Sequence, residues 1–148
     1  MINKKTQKAF TMIELIYVIV IIGILSAVAI PKFTETAVLA HDSAASSTLA
    51  IVRSALTTEK QRRILRGDFD PITSLGNVFT TFSAAADGST PKIMDNPPKV
   101  CSGGGDTACW SVSGTDYTYN FADGGSATFT LANNKLQCAG GSDCTRLE

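Results

Sequence analysis

Imidazole is nearly missing from this chain, for His41 is the one histidine in 148 residues. Neither His-Glu-x-x-His nor Gly-x-Ser-x-Gly occurs, so the commonest zinc and serine hydrolase constellations have nothing to stand on. His41 itself follows a long apolar run closely, and its expected role is solvation or a subunit contact. Two cysteines in C-x-x-C spacing are also lacking, which removes the usual zinc and redox readings. Net charge is absent as well, because thirteen basic residues cancel thirteen acidic ones. A general nucleic-acid binder would gather basic residues on one face. The chain therefore reads as a non-enzyme without cofactor or metal, and nucleic acid is not expected as a partner.

What is present is unevenly spread. Lys4, Lys5 and Lys8 precede Phe10 with no acid among them, and the remainder is mildly acidic. Phe10 to Ile30 is apolar except for Thr11, Glu14 and Ser26, with Tyr17 and Gly23 as further interruptions. At 1.5 Å per residue the run reaches about 30 Å, the thickness of a bilayer's hydrocarbon core. By the positive-inside rule the lysines hold the N-terminus in the cytoplasm, placing everything after Pro31 outside it. Ala27-Val28-Ala29 has the small-x-small form of an ordinary secretory signal, which gives the rival reading: an exported soluble or membrane-anchored binding protein. Against that rival stand the length of the apolar run and the carboxylate of Glu14 inside it, since an acid in a span costs a few kcal/mol.

Lys8-Ala9-Phe10-Thr11-Met12-Ile13-Glu14-Leu15-Ile16, followed by Gly23 and Pro31, closely resembles the type IV prepilin signature shared by pilins and type II secretion pseudopilins. The resemblance implies that a prepilin peptidase cuts between Ala9 and Phe10 and that the new amine of Phe10 is methylated. The family usually has glycine before the cut, and Ala9 is the smallest replacement for it. The resemblance also implies a subunit that waits in the inner membrane as a single-pass protein. An assembly platform there would build it, with like pilins, into a cell-surface pilus or a periplasmic pseudopilus. In such a filament Glu14 would pair with the amino group of Phe10 on a neighbour, a buried pair that specifies register more than it stabilises. The plainer alternative for Glu14 is a side chain reaching toward the headgroups from near the helix end. Gly23 and Pro31 weaken a helix and invite bending or unwinding between them, although both residues are also common in membrane helices.

The expected organisation is a leader at 1–9, a transmembrane and assembly helix at 10–31, an amphipathic continuation at 32–66, and a disulfide-bearing sheet region at 67–148. In the second helical stretch Val38, Ala45, Leu49, Val52 and Leu56 recur at helical spacing and form one stripe for a sheet to cover. Asp42, Ser46, Arg53 and Lys60 are assigned to the opposite side, suited to solvent or polar neighbours. Arg62, Arg63 and Arg66 oppose the negative helix end before Gly67, which can close it. From Phe10 to Arg66 such a helix measures about 85 Å, and its leading half has only lipid or sister helices to cover it.

Beyond Gly67, Asp68 to Lys99 reads as a connection with several turn signals and a short helix around Ser74 to Ala85. Cys109–Ser113, Tyr117–Phe121, Ala127–Leu131 and Lys135–Cys138 read as strands of an antiparallel meander. Tyr117, Tyr119 and Phe121 share one face, as do Phe129 and Leu131. The fold class is α+β: a long N-terminal helix packed on a small antiparallel sheet. The cysteines suit two disulfides in an oxidising compartment better than free thiols, and of three pairings the local one, Cys101 with Cys109 and Cys138 with Cys144, is expected. The second pair also resembles the closed C-terminal loop of many pilins. Asp106, Asp116, Asp123 and Asp143 lack an EF-hand spacing and are expected to form turns rather than to bind calcium.

Overall fold

The computed structural model describes residues 10–76, 79–82, 91–139 and 143–148. One helix, α1 (Met12–Leu65), is followed by β1 (Cys109–Ser113), β2 (Asp116–Asn120), β3 (Ser126–Ala132), β4 (Lys135–Cys138) and a short 3-10 helix at Cys144–Arg146. Internal contacts divide the chain into two units, one ending at Ala37 and the other running from Val38.

In the first unit α1 begins at a capping box. Thr11 precedes the first helical residue, its hydroxyl accepts the Glu14 amide at 3.3 Å, and the Glu14 carboxylate accepts the Thr11 amide at 3.4 Å. Each side chain thus satisfies an amide that has no partner within the helix. α1 runs unbroken through Gly23 and Pro31.

The second unit is an antiparallel sheet in the order β1-β2-β3-β4 with the helix stripe against it. Register pairs Tyr117 with Phe129 and Leu131 with Leu136. Alternation then sends Tyr117, Tyr119, Ala127, Phe129 and Leu131 to the buried face,. On the other face the hydroxyls of Thr118 and Thr128, directly opposite one another, lie 3.0 Å apart,. Asn133 and Asn134 turn β3 into β4 with φ of 51° and 61°, the two left-handed residues a tight hairpin turn of this twist requires,.

Ala45, Leu49, Val52 and Leu56 of α1 meet Trp110, Tyr117, Phe121 and Phe129 in one core. Phe79 adds a ring 4.8 Å from Trp110, edge to face, and 5.0 Å from Tyr117, stacked. The connecting region is hooked to the sheet at its start by side chains, the Ile72 amide donating to Asn134 Oδ1 and the Leu75 amide to the Tyr117 hydroxyl at 2.9 Å, and at its end by backbone, the Trp110 amide of β1 donating to the Lys99 carbonyl at 2.9 Å in a parallel bridge. Where a helix was expected, residues 74–76 are irregular and Phe79 has 3-10 character with φ of 58°. Thr80 to Phe82 are not helical either, Thr81 forming an isolated antiparallel bridge with Lys92, and residues 77, 78 and 83–85 lie outside the described residues.

One assignment on α1 changes. Asp42, Ser46 and Arg53 are flank residues of the stripe, because at 100° per residue they fall beside Ala45, Leu49 and Val52 instead of across from them. They are partly buried, whereas Lys60 is exposed. Arg62 and Arg63 do stand in the last turn of α1, as expected, and they also grip Glu59. Arg62 donates to both carboxylate oxygens at 2.7 and 2.9 Å, and Arg63 Nε donates to Oε1 at 3.0 Å. Gly67 does close the helix: at φ 79° it donates to the Ile64 carbonyl at 3.0 Å, and Asp68 donates to the Arg63 carbonyl at 2.9 Å, a Schellman pattern,.

Candidate functional site

The feature that demands a partner is the apolar surface of the first unit. Phe10 is 85% exposed, Leu25 64% and Phe33 74%, and the isoleucines and valines between them stand open in the same way. No part of the most apolar stretch of α1 is buried within the chain, and by length and composition this helix can cross a membrane. A helix apolar all round is stable in lipid or in a core and unstable in water. At about 25 cal/mol per Å² of apolar area, the driving force to cover it is tens of kcal/mol.

Glu14 is the acid in that surface. Its carboxylate bonds only weakly, to the Thr11 amide and hydroxyl at 3.4 Å each, so it is free to take a stronger cationic partner. The spacing Thr11-x-x-Glu14 was a legible cap signal, and the helix begins where it places the start,. Ala9 lies outside the described residues. Gly23 has open space around it. Pro31 lacks an amide for the carbonyl four residues earlier, and the Thr34 hydroxyl donates to the Pro31 carbonyl at 2.8 Å.

The second unit carries the cysteines. Cys101 is joined to Cys109, with Cα atoms 5.2 Å apart, and Cys138 to Cys144, 6.0 Å apart. His41 is exposed, and its carbonyl accepts the Tyr119 hydroxyl at 3.3 Å. Burial, together with the nearby Asp42 carboxylate, pushes the Tyr119 phenol above its usual range,. The acids expected in turns have protein partners: Asp106 accepts the Ser102 amide at 2.7 Å, Asp116, which opens β2 instead of lying in a loop, accepts the Thr130 hydroxyl at 2.6 Å, and Asp123 accepts the Arg146 guanidinium at 2.9 Å. Among the described residues no three His, Cys, Asp or Glu side chains converge as metal ligands would.

Sequence reasoning missed the buried carboxylate of Glu59, 3% exposed, with Arg63, 5% exposed. The Arg62 hydrogen bonds, against the opposing effect of burial, hold the Glu59 carboxyl below the usual carboxylate range, and Arg63 adds to this,. Glu at i with Arg at i+3 and i+4 was visible, but nothing in the sequence marked the pair as buried.

A short sheet domain stapled by disulfides and carried on an exposed apolar helix with a basic N-terminal lead defines a structural, filament-forming subunit. Comparison with known proteins agrees. Residues 4–30 match the family model of the prokaryotic N-terminal methylation motif. Over 115 residues the chain is 36% identical to the type IV narrow pilus major component PilA5 of Thermus thermophilus, covering 76% of this chain and 94% of that relative. Two fimbrial proteins of Pseudomonas aeruginosa are each 43% identical over 63 residues, or 43% of this chain and 38% of theirs. No solved structure matches the chain. The chain belongs to the type IV pilin family and is a structural subunit of a pilus.

Proposed function

We propose that the chain is made as an inner-membrane precursor with its N-terminus in the cytoplasm. A prepilin peptidase cuts it between Ala9 and Phe10, the Phe10 amine is methylated, and an inner-membrane platform builds it with like subunits into a surface pilus. The observation that carries this reading is the fully uncovered apolar face of Phe10 to Phe33. Lipid covers it before assembly, and sister helices cover it afterwards. In the assembled core Glu14 gives up its weak bonds to Thr11 for the amine of a neighbour's Phe10, two charges that cancel only in one register. Lengthwise give in the filament would come from the stretch between Gly23 and Pro31, where the helix lacks one hydrogen bond and carries one glycine.

Mass spectrometry of sheared surface filaments tests the processing directly. The N-terminal peptide should begin at Phe10 and carry one added methyl group. A peptide beginning at Met1 or Ile30 would sink the reading and favour an ordinary anchor or signal.

A further inference from the structure

The two disulfides are wired differently. Cys101–Cys109 closes a loop tied to the sheet region, where the Cys101 amide donates to the Trp110 carbonyl at 2.9 Å and the Asn120 side-chain amide to the Cys101 sulfur at 3.2 Å. Cys138–Cys144 instead fixes the start of the 3-10 helix that carries Arg146. The Asp143 amide donates to the Ser126 carbonyl at 3.0 Å, seating this segment on β3. Arg146 then reaches out in two directions, to Asp42 of α1 at 2.6 Å and to Asp123 of the β2–β3 turn at 2.9 Å, with its guanidinium 3.9 Å above the Phe121 ring. Leu147 is buried in the core and its carbonyl accepts the Ser46 hydroxyl at 3.0 Å, while Glu148 meets Arg53 at 2.6 Å. Asp42, Ser46 and Arg53, the flank of α1, are therefore all occupied by one six-residue segment, 143–148.

From this geometry we infer that Arg146 is a positioning residue that latches segment 143–148 onto α1, and that the latch is set by the oxidised Cys138–Cys144 pair and released by its reduction. Asp42 shows what the latch does. Its side chain is 13% exposed, and Oδ1 is buried with no hydrogen-bond partner among the described residues, so the Arg146 contact at Oδ2 is what compensates the carboxylate,. Arg146 stands in place because a closed ring holds Cys144 against β3. Opening the ring restores chain freedom to the segment that delivers the guanidinium.

The two cysteines differ in access as residues, Cys138 being exposed and Cys144 only 2% exposed. A dithiol reductant would attack the Cys138 sulfur and break the S–S bond, with Cys144 leaving as a thiolate that then takes a proton. The reductant's second thiol next displaces Cys138 from the mixed disulfide. Two electrons and two protons pass to the cysteines, and the reductant ends as its own disulfide.

Amide hydrogen exchange on the full chain in detergent tests the latch, with residues 143–148 compared against β2 and β3. With both disulfides intact, Arg146→Ala and Asp42→Asn should each speed exchange in 143–148 about tenfold, the size of a partly buried charge contact, and leave β2 and β3 unchanged. Reduction by a dithiol should do at least as much in the same segment, and Arg146→Ala should add little in the reduced chain. Cys101→Ser with Cys109→Ser should leave 143–148 closed. The latch is overturned if Arg146→Ala leaves the segment's exchange unaltered, if breaking Cys101–Cys109 opens it equally, or if reduction speeds β2 and β3 as much as 143–148. Arg146→Lys separates positioning from charge, since a lysine supplies one point charge and should restore less than half of the protection.

Discussion

Burying a carboxylate costs several kcal/mol unless cations stand beside it, and Glu59 has two, Arg62 at 2.7 Å and Arg63 at 3.0 Å. Removing the acid takes the carboxylate from a guanidinium that is itself buried, so Glu59→Gln should lower unfolding free energy by about 3 kcal/mol in urea titration. The sign of the pH dependence follows from the carboxyl being held below its usual range. The folded chain then binds the Glu59 proton less readily than the unfolded chain, so this contribution is complete above the ordinary carboxylate value. It fades as pH falls through the lower folded value. Stability of the original protein should therefore drop more steeply on acidification below about pH 4 than that of Glu59→Gln, read as thermal midpoints at stepped pH. Equal slopes would place the acid-sensitive group elsewhere.

Along α1 the stripe residues do most of the packing, and Leu49 is 1% exposed against the sheet. Leu49→Ala should cost about 3 kcal/mol from lost burial and the cavity left behind, measured by the same titration. Gly67 has nothing within 4 Å of where a side-chain carbon would sit, yet its φ is 79°. Gly67→Ala should therefore cost about 1 kcal/mol through the backbone alone, with no change in the cooperativity of unfolding. The helix stripe was legible in the sequence because apolar spacing reports a face, and all four strands were bounded to within one residue by their turns. The start of the connection after Gly67 was not legible as structure, because it is fixed by lone amides of Ile72 and Leu75 finding Asn134 and Tyr117, far away in sequence.

At the scale of the whole molecule, the sequence disclosed the long helix, the small sheet and the apolar surface that needs covering, since each is written in composition and period. It did not disclose the polar ties that close the second unit. Arg146 and Asp42 are 104 positions apart, and no local pattern marks either as the other's partner. Glu14 works twice, as the closing half of a capping box in the free subunit and, in the proposed filament, as the counter-charge to Phe10,. Those two uses can be separated, because glutamine retains the cap while losing the charge. The decisive measurement is the yield of sheared surface filament from cells making Glu14→Gln, with leader removal followed in the same cells. The account predicts a trimmed, membrane-held subunit and little or no filament; trimmed Glu14→Gln protein recovered in filaments at the level of the original would contradict it.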